Sequence, residues 1–388
     1  MGKTIVQFMP VRRLSPKDGN YFFGYFDKPP WNPSETRLLA HKVGFLGRQP
    51  MYGEKAELGV LEDGRFTPFA ETLAWNWQQG SMLQWFSDHE VIYNDVEDMT
   101  HISRILDLDS GLSRTLGRPI YCLSNDRKHA LSLNFCRLER ERPGYGYPGI
   151  ADPTLEYAYP DFDGIWLIDL KSDMARLLVS YREVVEKYPR PGMDTTVNWF
   201  NHLLFAPDGT HFAFIHRWRK YFPNYARWRY YTTRMFTSDL EGHLNELPIA
   251  DHASHFTWID NHRLIAFTQY PENVRQYQIY AIPENTVNPI AMDLLPPDGH
   301  CSFSPDGRWL LTDSYVRADN TRCIALYHPE TDTAYEVGAF HSDPKMLVYT
   351  RCDLHPRWSR DMTRICFDSL HEGFRGVYEM NVEELTKK

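Results

Sequence analysis

A single marker residue followed by a turn-forming segment recurs seven times along this chain, and no other feature restricts the fold as tightly. The markers are Trp31 ("WNPSETRLLA"), Trp85 ("WFSDHEVIY"), Leu123 ("LSNDRKHALSL"), Phe205 ("FAPDGTHFAFI"), Trp258 ("WIDNHRLIAFT"), Phe303 ("FSPDGRWLLTD") and Trp358 ("WSRDMTRICFD"). Successive gaps are 54, 38, 82, 53, 45 and 55 residues, close to the ~40–50 expected of four-stranded propeller blades. Each turn joins two strand-like runs, and a third alternating run follows, such as "GIWLIDL" or "CIALYHPE". Most copies then add a turn and a short fourth strand. The reading is an all-β, seven-bladed β-propeller of four-stranded antiparallel blades, with residues 1–388 as one domain. The seventh copy ends after its third strand, so "KTIVQFMPV" near the N-terminus is expected to supply the missing outer strand. A Tyr/Gly/Pro-rich insertion around 137–164 in blade 3 is expected to project over one mouth of the channel. "SYREVVEKY" (Ser180–Tyr188) is the one helix-like segment.

The repeat puts four histidines in register. Three places before the marker stand His202, His255, His300 and His355, in blades 4 to 7. That position starts the innermost strand, so four imidazoles are expected to converge on the channel. Blades 1 and 2 carry Lys28 and Met82 there, with Asp27, Gln78 and Gln79 nearby. Converging imidazoles suit a divalent metal, general acid–base work, or both. Asp353 stands two residues before His355, and i and i+2 share a face in extended chain. A carboxylate there can complete a coordination shell with His300. Arg234 in "TTRMF", with His216 and Arg217 at the end of "FAFIHRW", are candidates to reach the same rim.

A net charge of −9 argues against nucleic acid or an anionic membrane as partner. One basic aromatic stretch, "HRWRKYFPNYARWRYYTTR" (His216–Arg234), suits a small acidic ligand instead. With 11 Trp and 23 Tyr, rings are available for sugar stacking. The six cysteines form no CxxC pair and read as reduced, packed thiols. No apolar run approaches the ~18 residues of a membrane span, and the apolar run at the N-terminus is too short for a signal-peptide core. A cytoplasmic protein is expected.

Blades 4 to 7 resemble the oligogalacturonate lyases, a propeller family acting on pectate fragments. "NHLLFAPDGTHFAFIH" resembles that family's "GHPIYRP…D…VGFCHEG" stretch. "TTRMF" resembles its "DARMW", "SHFTW" its "THEFW", "GHCSFSPDGRWLLTDS" its "SHLMSNYDGSLMVGDG", and "CDLHPRWSRD" its "THPHPSFTPD". The resemblance places Arg234 on an active-site arginine, His255 on an active-site histidine, and His300 and His355 on metal ligands. The family's shell is three histidines and a glutamine; here Asp353 replaces one histidine and Thr350 stands at the glutamine. The implied cofactor is a divalent metal, Mn²⁺ first, with Ca²⁺ or Zn²⁺ as alternatives. The implied reaction is β-elimination on a uronate-containing oligosaccharide.

Under that reading His300, Asp353 and His355 hold the metal, and Arg234 and His255 are the base and carboxylate-binding pair. The resemblance makes Arg234 the base, whereas an ordinary pKa near neutrality favours His255. His202 joins them as a catalytic-site or substrate contact. His216, Arg217, Lys28, Gln79, Tyr145 and Arg351 are the expected substrate contacts. Two rival readings are a non-catalytic propeller that binds a glycan or protein, and a metal-dependent glycan hydrolase using the same histidines. A peptidase is disfavoured by the lack of a GxSxG elbow.

Overall fold

The structure, a computed structural model, describes residues 2–219, 231–343, 346 and 350–387. The turn chemistry of the repeat is visible in detail. In blade 6 the Ser304 hydroxyl donates to Asp306 Oδ1 at 2.6 Å and accepts from Trp309 N, while Gly307 N donates to Ser304 O. Gly307 sits at φ 73°, a conformation that glycine adopts without steric cost. Ser124 with Asp126, and Ser359 with Asp361, build the same serine–aspartate turn in blades 3 and 7. The aromatic markers have a matching purpose. The indoles of Trp85, Trp258 and Trp358 donate to Pro30 O, Leu204 O and Ser302 O, each on the preceding blade. A marker therefore docks its blade against its neighbour, and each such bond contributes about 0.5–1.5 kcal/mol.

Seven sheets result, each with four antiparallel strands at its centre, as the repeat predicts. Blade 4 is typical, running Asn198–Phe205, His211–Arg219, Tyr231–Asp239 and Leu244–Glu246 from the inside outward. An N-terminal strand closes the last blade as expected, but it begins at Val11, and the residues before it pair elsewhere. Strand β1 (Lys3–Val6) adds in parallel to Thr333–His341 at the edge of blade 6, giving that blade five strands. The closing strand of blade 7 is β2 (Val11–Arg13), antiparallel to Gly376–Asn381. Pro10, which has no N–H to offer a ladder, separates the two. One segment thus clasps both blades at the closure.

Blade 1 also differs. Its innermost strand is Asn20–Phe22, and Trp31 keeps only an isolated bridge to Leu38. Residues 23–30 leave the ladder and carry Tyr25 and Phe26 to the axis, where both rings meet histidines.

The blade-3 insertion is more structured than a loop. Helix α1 (Phe135–Glu141) starts at Asn134, whose side chain caps Arg137 N. The Arg137 guanidinium, wholly buried, donates to the carbonyls of Asn198, Tyr157 and Ala158 and so ties the insertion to blade 4. A second helix, α2 (Tyr181–Lys187), lies where "SYREVVEKY" places it. Gly146 passes so close to α1 that a Cβ would lie 2.3 Å from Phe135 O. Glu139 accepts from Gly144 N at 3.0 Å, and burial raises its pKa to about 7. The sign follows from linkage. The folded state holds a proton that the unfolded chain releases near its ordinary value, so stability falls as pH rises from about 4.5 to about 7. Glu139→Gln is expected to stabilise the protein by roughly 1–3 kcal/mol at pH 8 and by much less at pH 5. Urea midpoints at the two pH values check this.

Candidate metal and catalytic site

The histidines owe their aim to irregular inner strands. His202 falls in a register shift between Asn201 and Leu204, and His255 in one between Ala253 and Phe256. Such bulges turn a side chain out of the pleat. His202 and His355 have φ values of 52° and 43°, a left-handed conformation that is costly for a residue with a Cβ. Three of the rings touch: His255 to His300 at 4.0 Å and His300 to His355 at 4.3 Å between centroids. His202 does not join them directly. Tyr25 stands between, stacked on His202 at 4.9 Å and edge-on to His355 at 4.9 Å.

His300, Asp353 and His355 each offer one ligand atom, and the three atoms lie within 4.8 Å of one another. His300 bonds Asp313 Oδ1 through Nδ1 at 2.9 Å, and His355 bonds Gly24 O through Nδ1 at 2.8 Å. The Nε2 atoms of both are buried and have no partner among the described residues. An imidazole fixed through one nitrogen, with the other turned to a shared centre, is how proteins orient a metal ligand. Burial, and then the charge of neighbouring groups, hold His355 well below its ordinary pKa, in the neutral form that ligation needs. Asp353 is fully buried between two guanidiniums. Its Oδ2 accepts from Arg351 Nε at 2.7 Å, and Oδ1 lies 2.7 Å from Arg322 Nη1. Burial alone would raise its pKa, but Arg351 and Arg322 hold it far below the usual carboxylate range. Thr350 is also buried. Two imidazoles and an ionised carboxylate fit a divalent ion of the Mn²⁺ type, which accepts mixed nitrogen and oxygen donors.

Beside this triad His255 Nδ1 lies 3.3 Å from Asp298 Oδ1, and the Ser254 hydroxyl donates to the same carboxylate oxygen. Burial would raise Asp298, but its contact with His255 takes it below the ordinary value. The carboxylate fixes the ring, leaving Nε2 as the free basic atom. Above the histidines, Tyr145 from the insertion meets His202 edge-on at 5.7 Å and accepts from Arg351 Nη2 at 3.1 Å. The insertion therefore reaches His202 and Arg351 through Tyr145. Tyr315, 37% exposed, lies over Arg351 and 6.2 Å from His255, and marks the solvent side. Between Tyr25, Asp27, His202 and His255 about 10 Å³ is left open, room for one water.

Several expected contacts are placed elsewhere. Arg234 is not beside the histidines. Its Nε donates to His216 Nδ1 at 3.0 Å, Nη1 to Tyr188 O at 2.7 Å and Nη2 to Val184 O. Strand parity explains this. His216 pairs with Arg234 and Arg217 with Thr233; opposed residues share a face, and consecutive residues alternate. His216 and Arg234 thus turn together toward α2. Arg217 turns the other way, its Nη2 reaching Ala253 O at 3.4 Å, two residues before His255. His202 is pushed well below its ordinary pKa, by burial first and then by Arg217. Lys28 is buried in an ion pair with Asp27 at 2.9 Å. Gln79 donates to Tyr121 OH at 2.7 Å, and its buried Oε1 has no partner among the described residues. Residues 220–230 of the basic aromatic stretch lie outside the described residues.

Sequence reasoning missed Tyr25, Asp298, Asp313 and Arg322. Asp313 was within reach: the hairpin register Ser302↔Leu311, counted two residues outward, puts Asp313 opposite His300. No comparable signal marks the others.

No family model and no curated protein matches the chain. Solved structures do. An oligogalacturonate lyase in complex with manganese superposes with a TM-score of 0.68 at 15% identity, over 98% of this chain and 95% of the other. The oligogalacturonate lyase of Vibrio parahaemolyticus gives 0.65 at 15% identity, over 96% and 94%. The propeller domain of the Trilobed protease from Pyrococcus furiosus gives 0.50 at 10%, over 93% and 97%. At such identities the likeness establishes the propeller fold. No helix among the described residues is long and apolar enough to cross a membrane.

Proposed function

We propose that this propeller is a metal-dependent lyase that cleaves uronate-containing oligosaccharides by β-elimination. The observation that carries this reading is the pair of unpartnered Nε2 atoms of His300 and His355, gathered with the Asp353 carboxylate beneath arginines and tyrosines. The fold shared with two lyases of this kind, one of them a manganese complex, supports it.

β-Elimination removes the C5 proton of a 4-linked uronate while the C4–O bond breaks. The C5–H electron pair becomes the C4=C5 double bond, and the departing oxygen takes up a proton. A divalent ion held by His300, His355 and Asp353, Mn²⁺ by preference, would supply Lewis acidity to the uronate carboxylate. Arg351 adds positive charge on the same side of the site. His255 Nε2 is the base, with Asp298 fixing its tautomer through Nδ1. Arg234 is too committed to α2 carbonyls and His216 to serve. Tyr25 holds the proton for the leaving oxygen: its hydroxyl is buried and has no hydrogen-bond partner among the described residues. The crowding of Tyr25 and Phe26 against the histidines keeps bulk water from the reacting carbons.

The test is a panel of uronate oligosaccharides incubated with the protein and Mn²⁺, Ca²⁺ or Zn²⁺. Lysis yields one conjugated, ultraviolet-absorbing product end for every new reducing end. New reducing ends without that absorbance would make the protein a hydrolase. Absence of any product, alongside glycan binding in calorimetry, would make it a binding module.

A further inference from the structure

Two arginines near the histidines lack counter-charges. Arg217 is 4% exposed; its Nε donates to Thr233 Oγ1 at 3.2 Å, its Nη2 to Ala253 O at 3.4 Å, and its buried Nη1 has no partner among the described residues. Arg142, at the end of α1, lies over the Tyr145 ring at 5.0 Å and the Tyr231 ring at 5.3 Å, and its buried Nε has no partner among the described residues. Arg217 lies over the same Tyr231 ring at 4.9 Å. Among the described residues neither guanidinium forms an ion pair, and residues 220–230 and 344–349 contain no Asp or Glu that could supply one. The contrast with Arg137 is instructive, because that buried guanidinium is met by a ring of backbone carbonyls. An uncompensated buried guanidinium is strongly destabilising. A site that keeps one with an open N–H, beside a second, is built for an anion.

We infer that Arg142 and Arg217, flanking Tyr231, form an oxyanion subsite that holds the acid group of the sugar unit next to the one cleaved. The identification of the ligand as a sugar rests on the proposed lyase function; the oxyanion site does not. Tyr231 supports the placement. Burial would raise its phenol, yet Arg142 and Arg217 draw it below the ordinary value. Tyr145 links the subsite to the triad, since it touches Arg142, His202 and Arg351 at once. Arg142 comes from the blade-3 insertion, so that segment sets substrate choice. A substrate with acid groups on adjacent units would engage the triad and the subsite together. The group held is a carboxylate or a sulfate ester, each an oxyanion that can present two oxygens to a guanidinium fork.

Calorimetry on the full chain with inorganic sulfate and with acetate distinguishes the two sources. Binding is expected for one of them and weakened at least about tenfold in Arg142→Gln and in Arg217→Gln. The melting temperature of the unliganded variants should hold or rise, because an uncompensated charge is removed. Arg142→Gln is the safer variant, since its guanidinium makes no hydrogen bond to the described residues. In turnover, the preference for a diacidic over a monoacidic disaccharide should fall about tenfold in KM with kcat retained. Failure of both anions to bind the wild type, or equal binding by Arg142→Gln, overturns the subsite. Anion binding lost in the variants with no turnover on any glycan would instead retain the subsite and reject the lyase reading.

Discussion

Replacing His300 by alanine should lower the affinity for a divalent ion by about 100-fold or more and abolish turnover. His355→Ala should do the same. The reason lies in how the two rings are held. Each uses Nδ1 on a protein acceptor, Asp313 for His300 and Gly24 O for His355, so only Nε2 is left for the ion. Removing one ring deletes a third of the protein donors at a point where the others cannot regroup, because Asp353 is fixed by Arg351 and Arg322. Loss of an outer partner alone weakens metal affinity by 10–100-fold, and loss of the ligand itself must exceed that. Asp313→Asn provides the graded case. It keeps the shape and much of the bonding to His300 but loses the charge, and should fall within that 10–100-fold window. Elemental analysis after dialysis, with activity measured on the same samples, reads both quantities. A wild-type protein that binds no divalent ion, or a His300→Ala variant that keeps ion and activity, rejects the triad as a metal site.

The fold and the site were legible to different depths. The ring of seven was readable because the same local chemistry recurs: a serine or its substitute bonding an aspartate two residues on, and an aromatic docking on the blade before. Both are short-range devices, so spacing exposes them. The histidine register followed from the same alignment, since a position counted from a repeated turn is a position on the inner strand. Blade 1 broke the pattern. The residues between Phe22 and Trp31 still resemble a strand start, yet they loop inward, and only the tertiary contacts of Tyr25 with His202 and His355 show why. The choice between Arg217 and Arg234 required strand parity. A sequence motif names a residue type, but which face it takes depends on pairing, and the pairing of His216 with Arg234 sends both away from the cluster. The N-terminal segment was placed at the right seam, but Pro10 divides it between two blades. Asp298 carries no local mark, because it lies before the blade-6 strand and meets His255 only across the blade interface.

Asp298→Asn should lower kcat by about 10²–10⁴ while leaving metal content and KM close to wild type. Carboxylate–histidine pairs of this kind lose activity on that scale when the carboxylate becomes an amide. The carboxylate of Asp298 can only accept, so His255 Nδ1 carries the proton and Nε2 presents its lone pair. An asparagine can turn its N–H₂ toward Nδ1 and stabilise the opposite tautomer, with Nε2 protonated and unable to take the C5 proton. The substitution is isosteric at a partly exposed side chain and adds no cavity, so melting temperature should hardly move. His255→Ala should fall to a similar residual rate, and the double variant should fall no further, since the two groups act as one unit. A structural role alone would give additive losses and a lowered melting temperature. Wild-type kcat in Asp298→Asn would remove His255 as the base. The proton would then have to be taken by a group on the Tyr25 side of the site, with the leaving oxygen protonated from elsewhere.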